Sequence, residues 1–592
     1  MVLDAQTLEN AALTGFFQQD EVNMPMNSLL HAARGETPVD LLIRNCQVVN
    51  VLSGEIHPAS VGVKNGAIVG FGEYEAEEIV DACGRYLCPG LIEGHIHIES
   101  TLLDPVRFAQ VAAAHGTAVV VCDPHELANV LGLDGIRWLL EITRDLPLDI
   151  RCMMPSCVPA THLETAGATI TAQDIAAMFK EYPDRILGLA EMMNYPGVLY
   201  QDPQVMGKLV AAGDRPVDGH APGLSGFDLN AYILAGPGSD HEACHLDEAR
   251  EKLRAGMHVM IREGSSEKNL FDLLPLINDF NSQNCSLVTD DRHCDDLLRD
   301  GHLDHTIRLA VSRGLSPLRA IQMASINTAR YFGLRRRGAV APGYRADFVL
   351  LDDLASFSIF QTYLDGKVIE PASWRPAATG LTVTKSVHLG EMGPSCLEMP
   401  APVAGKKVRV IRTVPGQIVT EMDMVEPVIR DGLIMADPEG DVAKLAVFER
   451  HHGSGGVGLG LVRGLGLKSG AIASTVAHDS HNLIVAGVSD CDMLLAVRTL
   501  AECGGGFVCV RDGWVLDLLP LPLAGLMSDQ EPEAVATGLD HLNASARELG
   551  CPEHINPFMQ LSFLSLPVIP RLRLTDKGLV DVEAFAMVPL SG

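Results

Sequence analysis

Between Leu91 and Leu334 the chain alternates short apolar runs with amphipathic, helix-compatible segments. This alternation is its strongest constraint on fold. Eight runs have strand character: LIEGHIHIES, TAVVVCDPHE, DIRCMMPSCVPA, RILGLAEMMN, RPVDGHAPG, GSDHEAC, GMHVMIREGS and CSLVTDDRH. Segments such as PVRFAQVAAAHG and AQDIAAMFKEYPD lie between them. Strand–helix alternation calls for parallel βα units. Eight units predict an α/β fold with a (β/α)8 TIM-like barrel over residues 91–334.

The flanks have a different texture. From Leu41, LLIRNCQVVN, SVGVKNGAIVGFG and EIVDACGRYLCPG are β-like runs cut by Gly, Asn and Ser turns. After the barrel, GAVAPGYRADFVLLDDLASFSIFQTYLDGKVI returns to such runs. Residues 37–90 and 335–375 are therefore expected to build one small β-sandwich domain with the barrel inserted between its halves. Residues 1–36 read as a helical leader, 375–405 as a connector, and 400–592 as a C-terminal α/β domain.

The formal charge of −30 over 592 residues argues against nucleic acid or an anionic membrane as a partner, since both need a basic surface. No basic stretch followed by an apolar run and cleavage site marks a signal peptide, and no apolar run is long enough to span a bilayer. The 14 cysteines have no zinc-ribbon spacing, which fits reduced thiols in a cytoplasmic protein.

Nearly every predicted strand ends in a polar cluster, and barrel enzymes place their chemistry at those ends. In PGLIEGHIHIES, alternate side chains of a strand would put His95, His97 and Glu99 on one face. Two imidazoles so spaced can grip one metal ion, although a single His-x-His is equally compatible with core histidines. Glu191, His220, His241 and Asp290 at later strand ends change that balance. Six such ligands are too many for one tetrahedral site. They suit two divalent ions, with Glu191 as the bridging carboxylate and a shared water activated between the ions.

The motifs PGLIEGHIHIESTLLDP, VCDPHELANVLG, LAEMMNYPGV, DGHAPGLSG, SDHE, REGS, VTDDRH and GAIASTVAHDSHNLIVAG span almost the whole chain. On these motifs the chain resembles the amidohydrolase superfamily of metal-dependent barrel hydrolases and, within it, the bacterial adenine deaminases. Many superfamily members bridge their metals with a carbamylated lysine from the fourth strand. Here that position offers Glu191, as in the adenine-deaminating branch.

The resemblance implies hydrolytic deamination of adenine to hypoxanthine and ammonia by a metal-bound hydroxide. The implied metals are manganese or iron, with zinc as the alternative, and the implied assembly is a homo-oligomer. His95, His97, Glu191 and Asp290 would hold one ion, and Glu191, His220 and His241 the other. Asp290 or Asp291 would carry the proton to the leaving amine; strand-end geometry favours Asp290 inward as ligand and Asp291 toward substrate. Glu99 is expected to support the site without touching the ions. Asp123 and His125 are candidates for contact with substrate or the metal shell, or for a capped turn around Pro124. Asn194, Arg262 and Glu263 are candidates for reading ring nitrogens or for a solvated rim. His478, Asp479 and His481 in AHDSHN are candidates for a lid, a substrate contact or a further metal site, with a helix cap as the plainer role. The run GSGGVGLGLVRGLG lacks a Gly-Lys-Ser/Thr ending and reads as close backbone packing, not as a nucleotide loop. A sister reaction on another aminated heterocycle or cyclic amide would use the same metal ligands with a different pocket.

Overall fold

The computed structural model describes residues 26–592 apart from Gly416. Of the expected leader, helix Met26–Ala33 is described; residues 1–25 lie outside the described residues.

All eight predicted barrel strands form: β1 (Leu91–Ile96), β2 (Thr117–Cys122), β3 (Asp149–Met154), β4 (Ile186–Met192), β5 (Val217–Gly219), β6 (Ser239–Asp240), β7 (His258–Arg262) and β8 (Cys285–Val288). They pair in parallel as one sheet of five, β1 to β5, and one of three, β6 to β8. The sheets meet at two seams. Asp290 N–H donates to His95 O at 2.9 Å beside a parallel Ile96–Asp290 bridge, and Gly238 N–H donates to Val217 O at 2.9 Å. The result is a TIM-like domain.

The local chemistry explains the elements. β2, TAVVVC, is buried on both faces, as a parallel strand between barrel interior and helix layer must be. Val121, Met153, Ala190, Met260 and Val288 share one interior cluster with Phe332. Asp104 caps helix Pro105–Ala114 by accepting from Val106 N and Arg107 N, with Pro105 at the first helical position.

The two flanking segments share one eight-stranded sheet, but it is not two separate layers. A bulge between Ile43 and Cys46 divides strand Val39–Asn50. Its first half pairs with Ala76–Asp81 and its second with Tyr86–Pro89. Bulges sharpen twist and bend, so a single sheet can curl around its own apolar face. Ile43, Val48, Val61, Phe348 and Leu350 meet in that one core. This curled sheet replaces the sandwich expected from the sequence.

The C-terminal region carries a second eight-stranded sheet, from Thr420–Val425 at one edge to Trp514–Pro520 at the other. The glycine-rich run forms strand Val457–Arg463 within it, where a β-carbon on Gly458 would stand 1.9 Å from Thr575 O. Close backbone packing is thus its role. The loop after β3 grips this region: Thr575 Oγ1 donates to Leu163 O at 2.7 Å, and Asn482 Nδ2 to Thr165 O at 2.8 Å. None of the 14 cysteines is in a disulfide, and no helix among the described residues is long and apolar enough to cross a membrane.

At the end of the barrel away from the polar cluster, Arg337 ties the curled sheet to β3. Its guanidinium donates to Asp347 at 2.6 Å and Asp149 at 2.8 Å. Burial alone would raise the Asp149 carboxyl, but Arg337 and Arg151 hold it down at about 2. Its folded pKa lies below the ordinary value, so its stabilisation is full above about pH 4 and is lost as pH falls through about 2. Arg337→Met should cost about 1–2 kcal/mol in chemical denaturation at neutral pH, because it removes one of two guanidinium partners from both Asp149 and Asp347. The same variant should flatten the acid limb of the stability profile.

Candidate metal centre

The strand ends converge on one face. β1 stops at Ile96, and the chain turns at His97 into a 3-10 turn, Ile98–Thr101. His95 and His97 therefore still converge, with ring centroids 5.0 Å apart, but Glu99 leaves their face. One Glu99 oxygen accepts from Leu127 N–H at 3.0 Å; the other is buried without a partner. Burial, reinforced by Glu126, pushes the Glu99 carboxyl up to about 7.

Glu191, next to last in β4, occupies the middle. Its Oε1 lies 3.5 Å from His97 Nε2 and 3.4 Å from His125 Nδ1. Its Oε2 lies 2.5 Å from His220 Nδ1 and 3.3 Å from His241 Nε2. One carboxylate thus faces two nests of imidazole at once. On the first side Asp290 Oδ1 approaches His95 Nε2 at 3.6 Å and His97 Nε2 at 3.3 Å. Asp290 adopts φ 59°, which swings its carboxylate back over the barrel mouth. The His95 and His241 rings stack at 3.9 Å, closing the gap between the nests.

The electrostatics are mutual. Burial by itself would raise Glu191 and Asp290. Instead His220 and His241 hold Glu191 well below the usual carboxylate range, and His95, His97 and Arg262 do the same for Asp290. Burial would lower His97, yet Asp290, Asp291 and Glu191 carry it well above its usual value. Buried histidines facing ionised acids are stabilised either by extra protons or by metal cations, which compete for the same nitrogens.

The donor set fits a metal. His97 Nδ1–H donates to Asp123 O at 3.0 Å, which fixes the tautomer that leaves Nε2 free as a ligand. His95 Nε2 is buried with no hydrogen-bond partner. The groups close enough to hold an ion include His95, His241 and Asp290; Glu191, His220 and His241; and His97, Asp123, His125 and Glu191. Imidazole with carboxylate suits divalent manganese, iron or zinc.

Other expected residues settle differently. Asp123 Oδ2 lies 3.1 Å from His125 Nδ1 and so orients that ring beside Glu191. Arg262 cannot read a substrate's ring nitrogens with the donors it has already committed. It donates to Asp290 at 2.8 Å, to Asn269 at 3.0 Å and to Glu242 through both terminal nitrogens. Asn194 lies off the site as the cap of helix Tyr195–Leu199, accepting from Gly197 N–H at 2.9 Å. Glu263 is likewise not among the residues that line the chamber, and burial raises its carboxyl. Asp291 does face the chamber, and its Oδ1 accepts from Ser100 at 2.5 Å.

Three participants had no sequence signal beyond proximity to named residues. Glu242 neighbours His241 and reaches within 3.5 Å of its Nε2. Glu126 holds His478 Nδ1 at 2.7 Å. Ser100 lies within 3.4 Å of Glu126 and links it to Asp291.

The AHDSHN segment reaches the barrel mouth, where His478 and Asp479 line a small inner chamber with the acid–imidazole cluster. Glu126, His478 and His481 lie close enough to suggest a further ion. However, His481 Nδ1 accepts from Ala477 N–H at 3.1 Å, so its proton sits on Nε2 and that nitrogen cannot ligate. The inner chamber opens into a cavity of about 680 Å³ between the barrel and the C-terminal region.

Comparison with known proteins agrees with this architecture. The Amidohydrolase family profile matches residues 86–369, and the Adenine deaminase C-terminal domain profile matches residues 417–586. The barrel and its strand-end cluster are thus those of a metal-dependent amidohydrolase. An adenine deaminase from Oleidesulfovibrio alaskensis is 56% identical over 569 residues, covering 96% of this chain and 99% of that protein. Adenine deaminase 2 from Carboxydothermus hydrogenoformans is 48% identical over 572 residues, covering 96% of this chain and all of that protein. An adenine deaminase from Desulfatibacillum aliphaticivorans is 47% identical over 567 residues, 95% of this chain and 99% of that protein. The chain belongs to the adenine deaminase family.

Elemental analysis tests the centre directly. Glu191→Gln should lose at least half the divalent metal carried by the purified wild type, since one carboxylate serves both nests. Asn194→Ala should keep the full content and cost only about 1 kcal/mol for the lost helix cap. Unchanged metal in Glu191→Gln would remove Glu191 from the ligand set.

Proposed function

We propose that this chain is an enzyme that hydrolyses adenine to hypoxanthine and ammonia at a binuclear divalent-metal centre, in purine salvage or catabolism. The observation that carries the reading is Glu191, whose two oxygens face separate imidazole nests within a chain aligned end to end with adenine deaminases. His95, His97, Glu191 and Asp290 would hold one ion, and Glu191, His220 and His241 the other. Manganese or iron is the native metal, with zinc the alternative. Two such ions, when bound, lower the pKa of a water shared between them to near neutrality.

The protein's own groups supply orientation and proton movement. Asp123 O fixes the ring of His97 from outside the nest, and the Asp123 carboxylate orients His125. Arg262 holds Asp290 Oδ2, so that Oδ1 stays turned toward His95 and His97. Ser100 holds Asp291 Oδ1 and leaves its second oxygen to exchange protons with substrate. Asp291 takes a proton from the attacking water as the new C6–O bond forms, and passes it to the N6 amine as the C6–N bond breaks. Amine is a poor leaving group, so this delivery matters to rate. His125 and Asp479 flank the substrate, and burial beneath the C-terminal region excludes bulk water.

The domain division belongs to the same proposal: residues 91–334 carry the chemistry, 37–90 with 335–375 brace the barrel, and 400–592 cover its mouth. The enzyme works in the cytoplasm as a homo-oligomer with its thiols reduced, and it takes a free base, with no nucleic-acid or membrane partner.

Ammonia release is the test. Metal-loaded protein should release ammonia from adenine in preference to adenosine, cytosine and cyclic ureides. His97→Ala and Asp291→Asn should each lower kcat/KM by at least about a hundredfold. No ammonia from adenine, with turnover of another heterocycle in the same screen, would reassign the substrate while leaving the metal centre in place.

A further inference from the structure

Arg573 is fully buried, yet it pairs with no carboxylate among the described residues. Its guanidinium is spent on backbone carbonyls alone. Nε donates to Ile569 O at 2.7 Å, Nη1 to Phe563 O at 2.7 Å, and Nη2 to Ile418 O at 2.7 Å and Pro570 O at 2.9 Å. A guanidinium stays charged in a protein interior, so this is a costly arrangement that four carbonyls must offset. Phe563 ends helix Pro557–Phe563, whose carbonyl end carries partial negative charge suited to a cation.

Ile418 lies 155 residues from Arg573 in sequence, whereas Phe563 and Ile569 lie just before it, and each of the three delivers one apolar side chain to the same place. Ile418, Phe563 and Ile569 all line the inner chamber, opposite His97, Glu191 and Asp290. Phe563 is further fixed by stacking on the His478 ring, 4.5 Å between centroids and 10° from parallel. The barrel thus gives the chamber its acid–imidazole floor, and the C-terminal region roofs it with these apolar side chains beside His478 and Asp479. Thr420 N–H, donating to Pro570 O at 3.0 Å, laces two of the roof segments together independently.

We propose that Arg573 is a positioning residue that assembles this roof, and that Ile418, Phe563 and Ile569 are the specificity surface pressing a flat, uncharged heterocycle onto the polar floor. The inference rests on the substrate class proposed above. It also assigns the C-terminal region a direct share in substrate binding. Arg573 is spent on carbonyls and does not touch substrate; it acts only through the three segments it holds. Lysine, a point charge on a flexible stem, cannot reproduce a planar fork serving three segments at once.

The test is steady-state kinetics on metal-loaded full-length protein with adenine. Arg573→Lys should raise KM about tenfold while kcat stays within about threefold, the signature of lost uniform binding. Metal content should be unchanged. Ile418→Ala should raise KM similarly, and the double variant should be little worse than either single, because both remove the same surface. Unchanged KM in Arg573→Lys, or fully additive effects in the double variant, would overturn the proposal. If Arg573→Lys fails to fold by circular dichroism, Ile418→Ala and Ile569→Ala decide. Both must raise KM with metal retained, and wild-type KM in either overturns the roof. Wild-type protein inactive on adenine overturns the substrate reading and the roof with it, whereas an active wild type with indifferent variants overturns the roof alone.

Discussion

The site depends on one buried carboxylate placed among four imidazoles. Glu191 alone in a barrel interior would be protonated, because desolvation of an ionised acid costs several kcal/mol. His97, His125, His220 and His241 remove that option by surrounding it with groups that carry, or exchange for, positive charge. The converse also holds, since those histidines would be poor bases in an apolar core without Glu191 and Asp290. Each sign of charge is affordable only because the other is there. The barrel supplies what the pairing needs, which is ring and carboxylate positions fixed by eight hydrogen-bonded strands converging on one face.

The outer contacts follow the same logic. Arg262 spans Glu242 and Asp290, so two acids beside the nests share one cation and neither is left uncompensated. His97 is fixed by a backbone carbonyl and His220 by carboxylates, which sets which nitrogen of each ring faces inward. Ser100 links Asp291 to Glu126, and Glu126 holds His478. The C-terminal region is in this way connected to the acid next to Asp290 by a continuous run of polar contacts.

The barrel and the convergence of six strand-end residues were legible because period and position coincide. Parallel strands are short, apolar and spaced by helices, and their ends are where a barrel tolerates charge. His95 and His97, Glu191, His220, His241 and Asp290 all sit there. What sequence could not give is the direction of a side chain once a strand has ended. Glu99 was expected on the His95 face, but the strand stops at Ile96 and a 3-10 turn rotates it away. Asn194 and Glu263 sit at strand ends too, yet a local cap draws Asn194 off and Glu263 does not line the chamber. Glu242 should have faced opposite His241, but β6 is only two residues long and the alternation has lapsed there. The flanking runs, expected as a sandwich, are joined in one eight-stranded sheet whose several bulges nothing in the pattern of runs marks.

The two arginines buried in the C-terminal region extend the argument from the floor of the site to its cover. Arg450 and Arg573 are both fully buried, and both bond to carbonyls without an acid partner among the described residues; Arg450 binds His481 O and Ala524 O. Other arginines of this acidic chain divide between carboxylates, as Arg262 and Arg337 do, and backbone carbonyls, as Arg185 does. A carboxylate partner at Arg573 would bring another negative charge toward a chamber already lined by Glu191, Asp290 and Asp291. Such a charge would compete for the histidines and deepen the repulsion that Arg262 is there to relieve. Carbonyls carry partial charge only. They divide the guanidinium among several segments without adding a formal charge near the floor, and each bond made this way fixes the backbone of a roof residue. Bonding Arg573 to carbonyls thus suits the same electrostatics that set Glu191 among histidines.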